Sequence, residues 1–130
     1  MADSIFTRII KGEIAANRIY EDDKTFAFLD VNPKQPGHTL VIPKKQVAYL
    51  WDLPDEDYQA LMATVKKVGQ RIKQVLSPKF VGLQVEGVEV AHAHIHVFPF
   101  NTPEEFHIRA VPGAKAPEDE LAEMAKKLAF

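Results

Sequence analysis

The chain has 130 residues, enough for one domain with a real hydrophobic core. Its 46% hydrophobic and 26% charged residues and formal net charge of −2 are ordinary for a globular protein. With no basic stripe beyond pairs such as Lys44 and Lys45, Lys66 and Lys67, and Lys126 and Lys127, this balance argues against nucleic-acid binding. Cysteine is absent, which removes disulfides, thiol nucleophiles and Cys-ligated zinc, and is compatible with the cytosol. The N-terminal residues, with Asp3 among short apolar pairs, do not read as a signal peptide, and no apolar run approaches the ~20 residues that span a bilayer. A soluble, cytoplasmic protein is expected.

In chain order, Ile5, Phe6, Ile9 and Ile10 recur at helical spacing and Gly12 follows as a helix stop. Strands are expected at Arg18–Glu21 and over residues 25–31, joined by the turn-prone Asp22 and Asp23. The loop NPKQPG leads into a third strand, GHTLVIP (residues 37–43), where His38, Leu40 and Ile42 share one face and Thr39 and Val41 the other. The clearest helix opens at Pro54, with Asp55, Glu56 and Asp57 favourably placed at the positive end of the helix dipole. Tyr58, Leu61, Met62, Val65, Val68, Ile72, Val75 and Leu76 trace its apolar stripe, read as core, and Ser77 with Pro78 ends it. Trp51, on the run into this helix, is read as packing. KFVGLQVEG alternates as a strand up to Gly87, a histidine-rich strand follows, and residues 117–130 form a last helix. His107, between them, is read as a surface residue. Strands around one long helix, with no repeat or linker, predict an α+β fold with a mostly antiparallel sheet.

The histidine-rich stretch VAHAHIHVFPF (residues 90–100) places His92, His94 and His96 at every second position. On a strand such residues point the same way, so the imidazoles are expected on one face, with Ala93, Ile95 and Val97 on the other. Neither serine, Ser4 nor Ser77, sits in a G-x-S-x-G elbow, and the six glycines make neither G-x-G-x-x-G nor a phosphate loop. Catalysis therefore falls to histidine, carboxylate or metal. The rings could be hydrogen-bonded structural residues. They could bind a metal, since imidazole is the commonest zinc ligand, although no Glu or His at helical spacing completes the set. Or a neutral imidazole could attack phosphorus or an acyl carbon while a neighbouring imidazolium protonates the leaving group. Like charges so close oppose full protonation of all three rings, which favours a neutral one near neutral pH.

HAHIHVF, from His92 to Phe98, resembles the His-φ-His-φ-His-φ-φ signature of the histidine-triad (HIT) nucleotide hydrolases and transferases. IFTRIIKGEI, IYEDDKTFAFLDVNP and GHTLVIPKK are similar, in order and spacing, to the N-terminal half of this family and to its Hint-like branch. The resemblance covers residues 4–98 and leaves 99–130 as a tail with a terminal helix. It implies a single HIT domain over residues 1–130, α+β, with a mostly antiparallel sheet, one long helix and shorter N- and C-terminal helices.

The resemblance implies that His94 is a nucleophile toward the α-phosphorus, giving a nucleotidyl-histidine that water hydrolyses. His92 and His96 would position the phosphate and assist proton transfer, and His38 would be the additional active-site histidine. Asp30 matches the acid that accepts hydrogen bonds from the ribose hydroxyls. Phe6, Ile9, Ile14, Phe28, Leu29 and Val31, with Ile5, fall where the family lines its base pocket. Before the triad, Val85 stands in place of a phosphate-binding amide and Glu89 in place of a hydroxyl residue. A carboxylate beside a phosphate is unfavourable unless it is turned away, protonated or bridged by a cation. Relatives that bind zinc through C-x-x-C and two histidines have those positions occupied here by Ser4, Thr7, Gln46 and His92, so neither a metal nor a cofactor is expected.

The expected activity is cleavage of purine nucleoside 5′-phosphoramidates by a cytoplasmic homodimer that binds an AMP-like ligand, with no nucleic-acid or membrane partner. The alternatives are dinucleoside polyphosphate hydrolysis and a nucleotide-binding regulatory module with little turnover.

Overall fold

Helix α1, Ile5–Ile10, begins where the Ser4 hydroxyl accepts the Thr7 N–H at 3.0 Å and ends before Gly12, whose φ of 80° suits glycine. The structure, a computed structural model, describes residues 2–111 and 113–130. Strands β1 (Arg18–Glu21), β2 (Thr25–Leu29), β3 (Thr39–Pro43), β4 (Phe80–Gln84) and β5 (Ile95–Phe100) form one sheet in the order β1-β2-β3-β5-β4. Every pairing in it is antiparallel. Helix α2, Asp55–Leu76, crosses between β3 and β4, and α3, Pro103–His107, and α4, Glu118–Leu128, follow the sheet.

The period of two along the strands divides the interior. Ala27, Leu29, Val41, Ile95 and Val97 face α2 and meet Leu61, Val65, Val68 and Ile72 from its apolar stripe. Burying a side chain such as Leu61 completely stabilises the fold by about 1.5–3 kcal/mol. Phe26, Phe28, Leu40 and Ile42 point to the opposite face and pack with Phe6 of α1. Helix α2 stops at Ser77, which adopts the left-handed conformation at φ 51° with Pro78 behind it.

The sequence reading places the strands and the main helices correctly and misses two short elements, a 3₁₀ turn at Leu50–Asp52 and helix α3. Trp51 in that turn is not packed: Leu50 and Leu53 take the buried positions, leaving Trp51 68% exposed. The strand expected up to Gly87 stops at Gln84, because its partner strand begins only at Ile95. Residues 92–94 leave the sheet to close on the loop after β3, where the Ala93 N–H donates to the Val47 carbonyl at 2.7 Å. The C-terminal helix lies on its own chain against α2 and β1. Arg71 of α2 donates to the carbonyls of Lys127, Leu128 and Ala129, and Phe130 stacks on Tyr20 with ring centroids 4.9 Å apart.

Candidate active site

Strands β3 and β5 lie side by side with Leu40 opposite His96, which puts His96 on the sheet face turned away from α2. His38 immediately precedes β3 and comes beside it. The backbone N–H of Lys34 donates to His38 Nδ1 at 3.0 Å, so a neutral His38 carries its proton on Nε2. That Nε2 lies 2.9 Å from His96 Nδ1 and donates to it, which leaves the His96 proton on its outward Nε2. Burial, reinforced by His96 and Lys34, lowers the pKa of His38 to about 3. Burial, with His94 and Lys34 adding to it, lowers that of His96 to about 4. Both rings are therefore neutral near neutral pH.

His94 has the opposite tautomer. Its Nδ1 lies 2.8 Å from the carbonyl of His92, which can only accept, so Nδ1 carries the proton and Nε2 of the neutral ring keeps a lone pair. His92 does not join this face. It is 0% exposed, its Nε2 donates to the Pro43 carbonyl at 2.7 Å, and its Nδ1 accepts from the Ser4 hydroxyl at 2.8 Å. With both ring nitrogens engaged it cannot hold a phosphate or carry a proton, contrary to the role the resemblance implied; its carbonyl instead fixes His94. The expected shared face fails because residues 92–94 lie outside the regular strand.

Ser4, Thr7, Gln46 and His92 do converge, as a closed hydrogen-bonded cluster. The Ser4 N–H and the Thr7 hydroxyl donate to Gln46 Oε1 at 2.7 and 2.6 Å, and the Gln46 amide donates to the Ala2 carbonyl at 2.9 Å. Hydroxyls and a carboxamide offer no thiolate and only one imidazole, so the cluster does not fit a structural zinc. A second group, Asp30, His38 and His96, brings its donor atoms within 4.8 Å of one another. To ligate there, His38 Nε2 would have to pass its proton to Nδ1, against the Lys34 N–H. His38 and His96 form the hydrogen-bond relay, and Asp30 Oδ2 lies beside it, 3.6 Å from His38 Nε2 and 3.9 Å from His96 Nδ1, beyond hydrogen-bond distance.

A cavity of about 410 Å³ opens on this relay, a size suited to a small ligand. Asp30, His38, His94 and His96 line it, as does Glu89, which was expected near the phosphates. Burial raises the pKa of Asp30, and Glu89 contributes in the same direction. Val85 is corrected: Gln84 lines the cavity, because it pairs with His96 across β4 and β5 and shares its face, while Val85 is exposed and faces elsewhere. Lys34 and Arg109 also line it, and neither was anticipated. Lys34 could have been suspected four residues before His38; Arg109, reached only through the tail, left no signal.

None of the expected base-pocket residues lines this cavity. Phe6 and Phe28 are spent on the second core cluster, although the Phe6 ring stands edge-on to His92 and His94 at 5.8 and 5.1 Å. Leu29 alternates to the α2 face. Val31 follows the end of β2 and is exposed, and Ile9 and Ile14 are half-buried.

The HIT domain profile matches residues 11–102, which contain the relay, the nucleophile candidate and Asp30. The chain belongs to the histidine-triad (HIT) family. It is 34% identical over 131 aligned residues to the adenosine 5′-monophosphoramidase HNT1 of Saccharomyces cerevisiae, covering 98% of this chain and 81% of that protein. Among solved HIT structures, a Hit-like protein of Bartonella henselae involved in cell-cycle regulation superposes with a TM-score of 0.85 at 34% identity, over 97% of this chain and 93% of that one. A zinc-bound histidine-triad protein of Mycobacterium smegmatis gives 0.79 at 28% identity, over 95% and 88% of the two chains. The HIT fold here is thus the mixed α and β arrangement expected, with a five-stranded antiparallel sheet.

Proposed function

We propose that this HIT protein hydrolyses purine nucleoside 5′-phosphoramidates through a nucleotidyl-histidine on His94. The observation that carries this reading is the pair of complementary ring nitrogens on one cavity: a lone pair on His94 Nε2 and a proton on His96 Nε2. His94 Nε2 attacks the α-phosphorus, the P–N bond breaks with its electron pair on nitrogen, and the departing amine takes a proton from solvent water at the cavity mouth. Water then attacks the phosphorus, releasing the nucleotide and restoring His94. The His92 carbonyl keeps the Nδ1 proton in place as the imidazole acquires positive charge, and the His96 N–H, relayed through His38, meets a phosphoryl oxygen. Asp30 is read as the acceptor for the ribose hydroxyls, with Ile9, Ile14 and Val31 offering apolar surface to the base.

Similarity to the phosphoramidase of yeast supports this substrate class. One observation favours a second reading, dinucleoside polyphosphate cleavage: Lys34 and Arg109 bring cationic charge to the cavity, opposing that of Glu86 and Glu89. We further read the protein as a cytoplasmic homodimer. Strand β4 is a sheet edge, its Phe80 and Leu83 are 52% and 48% exposed, and a groove of about 550 Å³ runs between it and α2. No described helix is long and apolar enough to cross a membrane.

The test is AMP release from adenosine 5′-phosphoramidate, followed by chromatography, for the wild type and His94→Ala. Turnover that His94→Ala lowers by at least about 10³-fold, with a nucleotidyl adduct in the intact mass of the wild type, is the expected result. A wild type that binds AMP but releases none overturns the enzyme reading in favour of a binding module. Diadenosine polyphosphate cleaved faster than the phosphoramidate would select the second reading.

A further inference from the structure

The Lys34 side chain lies along the cavity wall rather than in solvent. Its ammonium donates to Gln84 Oε1 at 2.6 Å and to the Phe106 carbonyl of α3 at 3.2 Å. It also lies 4.8 Å from the centre of the Phe98 ring and 5.6 Å from that of Phe106. A carboxamide can present either its oxygen, which accepts, or its NH₂, which donates. An ammonium only donates, so Lys34 takes the oxygen and leaves the NH₂ of Gln84 for something else. Among the described residues that NH₂ has no partner, and Gln84 sits opposite His96 on the cavity side of the sheet. Phosphoryl oxygens accept only, so the amide orientation set by Lys34 suits them and the reverse orientation would repel them.

We propose that Lys34 is a positioning residue for phosphoryl transfer: it holds Gln84 with its NH₂ turned toward the phosphorus that His94 attacks, and ties that amide to α3. Helix α3 leads directly into the segment that places Arg109 on the cavity rim, so one ammonium couples the β4 end, the helix and the rim. The charged and titratable groups around Lys34 are Glu86 after β4, Arg109 after α3, and His38 and His96 from the relay. Burial and Arg109 lower its proton affinity and Glu86 raises it. The inference rests on the phosphoryl-transfer reading of the site.

Lys34→Met keeps an apolar stem over Phe98 and Phe106 and removes the ammonium; Lys34→Arg keeps a cation. Losing one preorganised donor lowers kcat by about 10²-fold in known cases, and that loss is expected for Gln84→Ala and Lys34→Met alike, with KM little changed. The double variant should lose no more than either single one, and Lys34→Arg should recover most of the rate. Independently of turnover, AMP titrated into ¹⁵N-labelled wild type should shift the Gln84 side-chain NH₂ resonances, and should not do so in folded Lys34→Met. Losses that multiply in the double variant, or Gln84 resonances that respond to AMP equally with and without the ammonium, would overturn the proposal. A wild type without turnover would remove the phosphoryl-transfer reading, and the resonance experiment would still decide whether Lys34 orients Gln84.

Discussion

His38 donates from Nε2 to Nδ1 of His96 across 2.9 Å, and this bond, with the one from the Lys34 N–H to His38 Nδ1, is complete only while both rings are neutral. Their pKa values, about 3 and about 4 against the ordinary 6.5, are both depressed. The unfolded chain takes up these protons below about pH 6.5, whereas the folded chain resists them down to about pH 4 and then 3. The associated stability is therefore complete above that window and is lost as pH falls through it. His92, also depressed by burial, adds in the same sense, and Asp30, raised by burial, opposes it. Urea unfolding should show stability declining by about 1.4 kcal/mol per pH unit for each such histidine. A flat profile across the window would contradict a neutral relay.

The cluster around His92 predicts a structural effect that reaches catalysis. Ser4→Ala leaves His92 Nδ1 without its 2.8 Å donor and removes the α1 cap as well. The expected loss is about 1–3 kcal/mol of stability. Because the His92 carbonyl fixes His94, turnover should fall too, while a chelator should leave the melting temperature of the wild type unchanged. A chelator-induced drop would show that a metal does hold this cluster.

Asp30 accepts the Asn32 N–H at 2.9 Å through Oδ1, and this bond survives in Asp30→Asn. The substitution removes charge and one acceptor from the proposed ribose contact, worth about 1.5–3 kcal/mol for hydrogen bonds to a charged group. Calorimetry should show AMP binding weakened about tenfold or more. Binding of 2′-deoxy-AMP should be weak in the wild type and change little in the variant; equal wild-type affinity for both nucleotides would take Asp30 out of the ribose site.

Gly37 precedes His38 with φ at 99°, and a Cβ there would come within 2.7 Å of Leu76 Cδ1. Gly37→Ala therefore carries both backbone strain and overpacking, together costing about 1–3 kcal/mol or more. Thermal unfolding checks the loss. Since the loop carries both Lys34 and His38, the histidine ¹⁵N shifts should move with it, and an unperturbed relay would show that the loop and the relay are independent.

Residue order by itself determined most of the local structure and the family. Periods of two and 3.6 are carried by the chain directly, so the α2 stripe from Leu61 to Ile72 and the division of β3 between Leu40 and Val41 were legible before any contact was known. The histidine spacing was legible for the same reason, and so was the departure of Ser4, Thr7 and Gln46 from a zinc-binding set. Only the tertiary structure decided which ring nitrogen holds a proton, because that depends on partners far away in sequence: Pro43 for His92, His38 for His96. It also decided that Gln84 rather than Val85 faces the cavity, through a register with β5, and that Lys34 and Arg109 reach it from separate segments. Local periodicity records which face a residue takes; proton positions and converging charges belong to long-range packing, where the pattern along the chain carries no information.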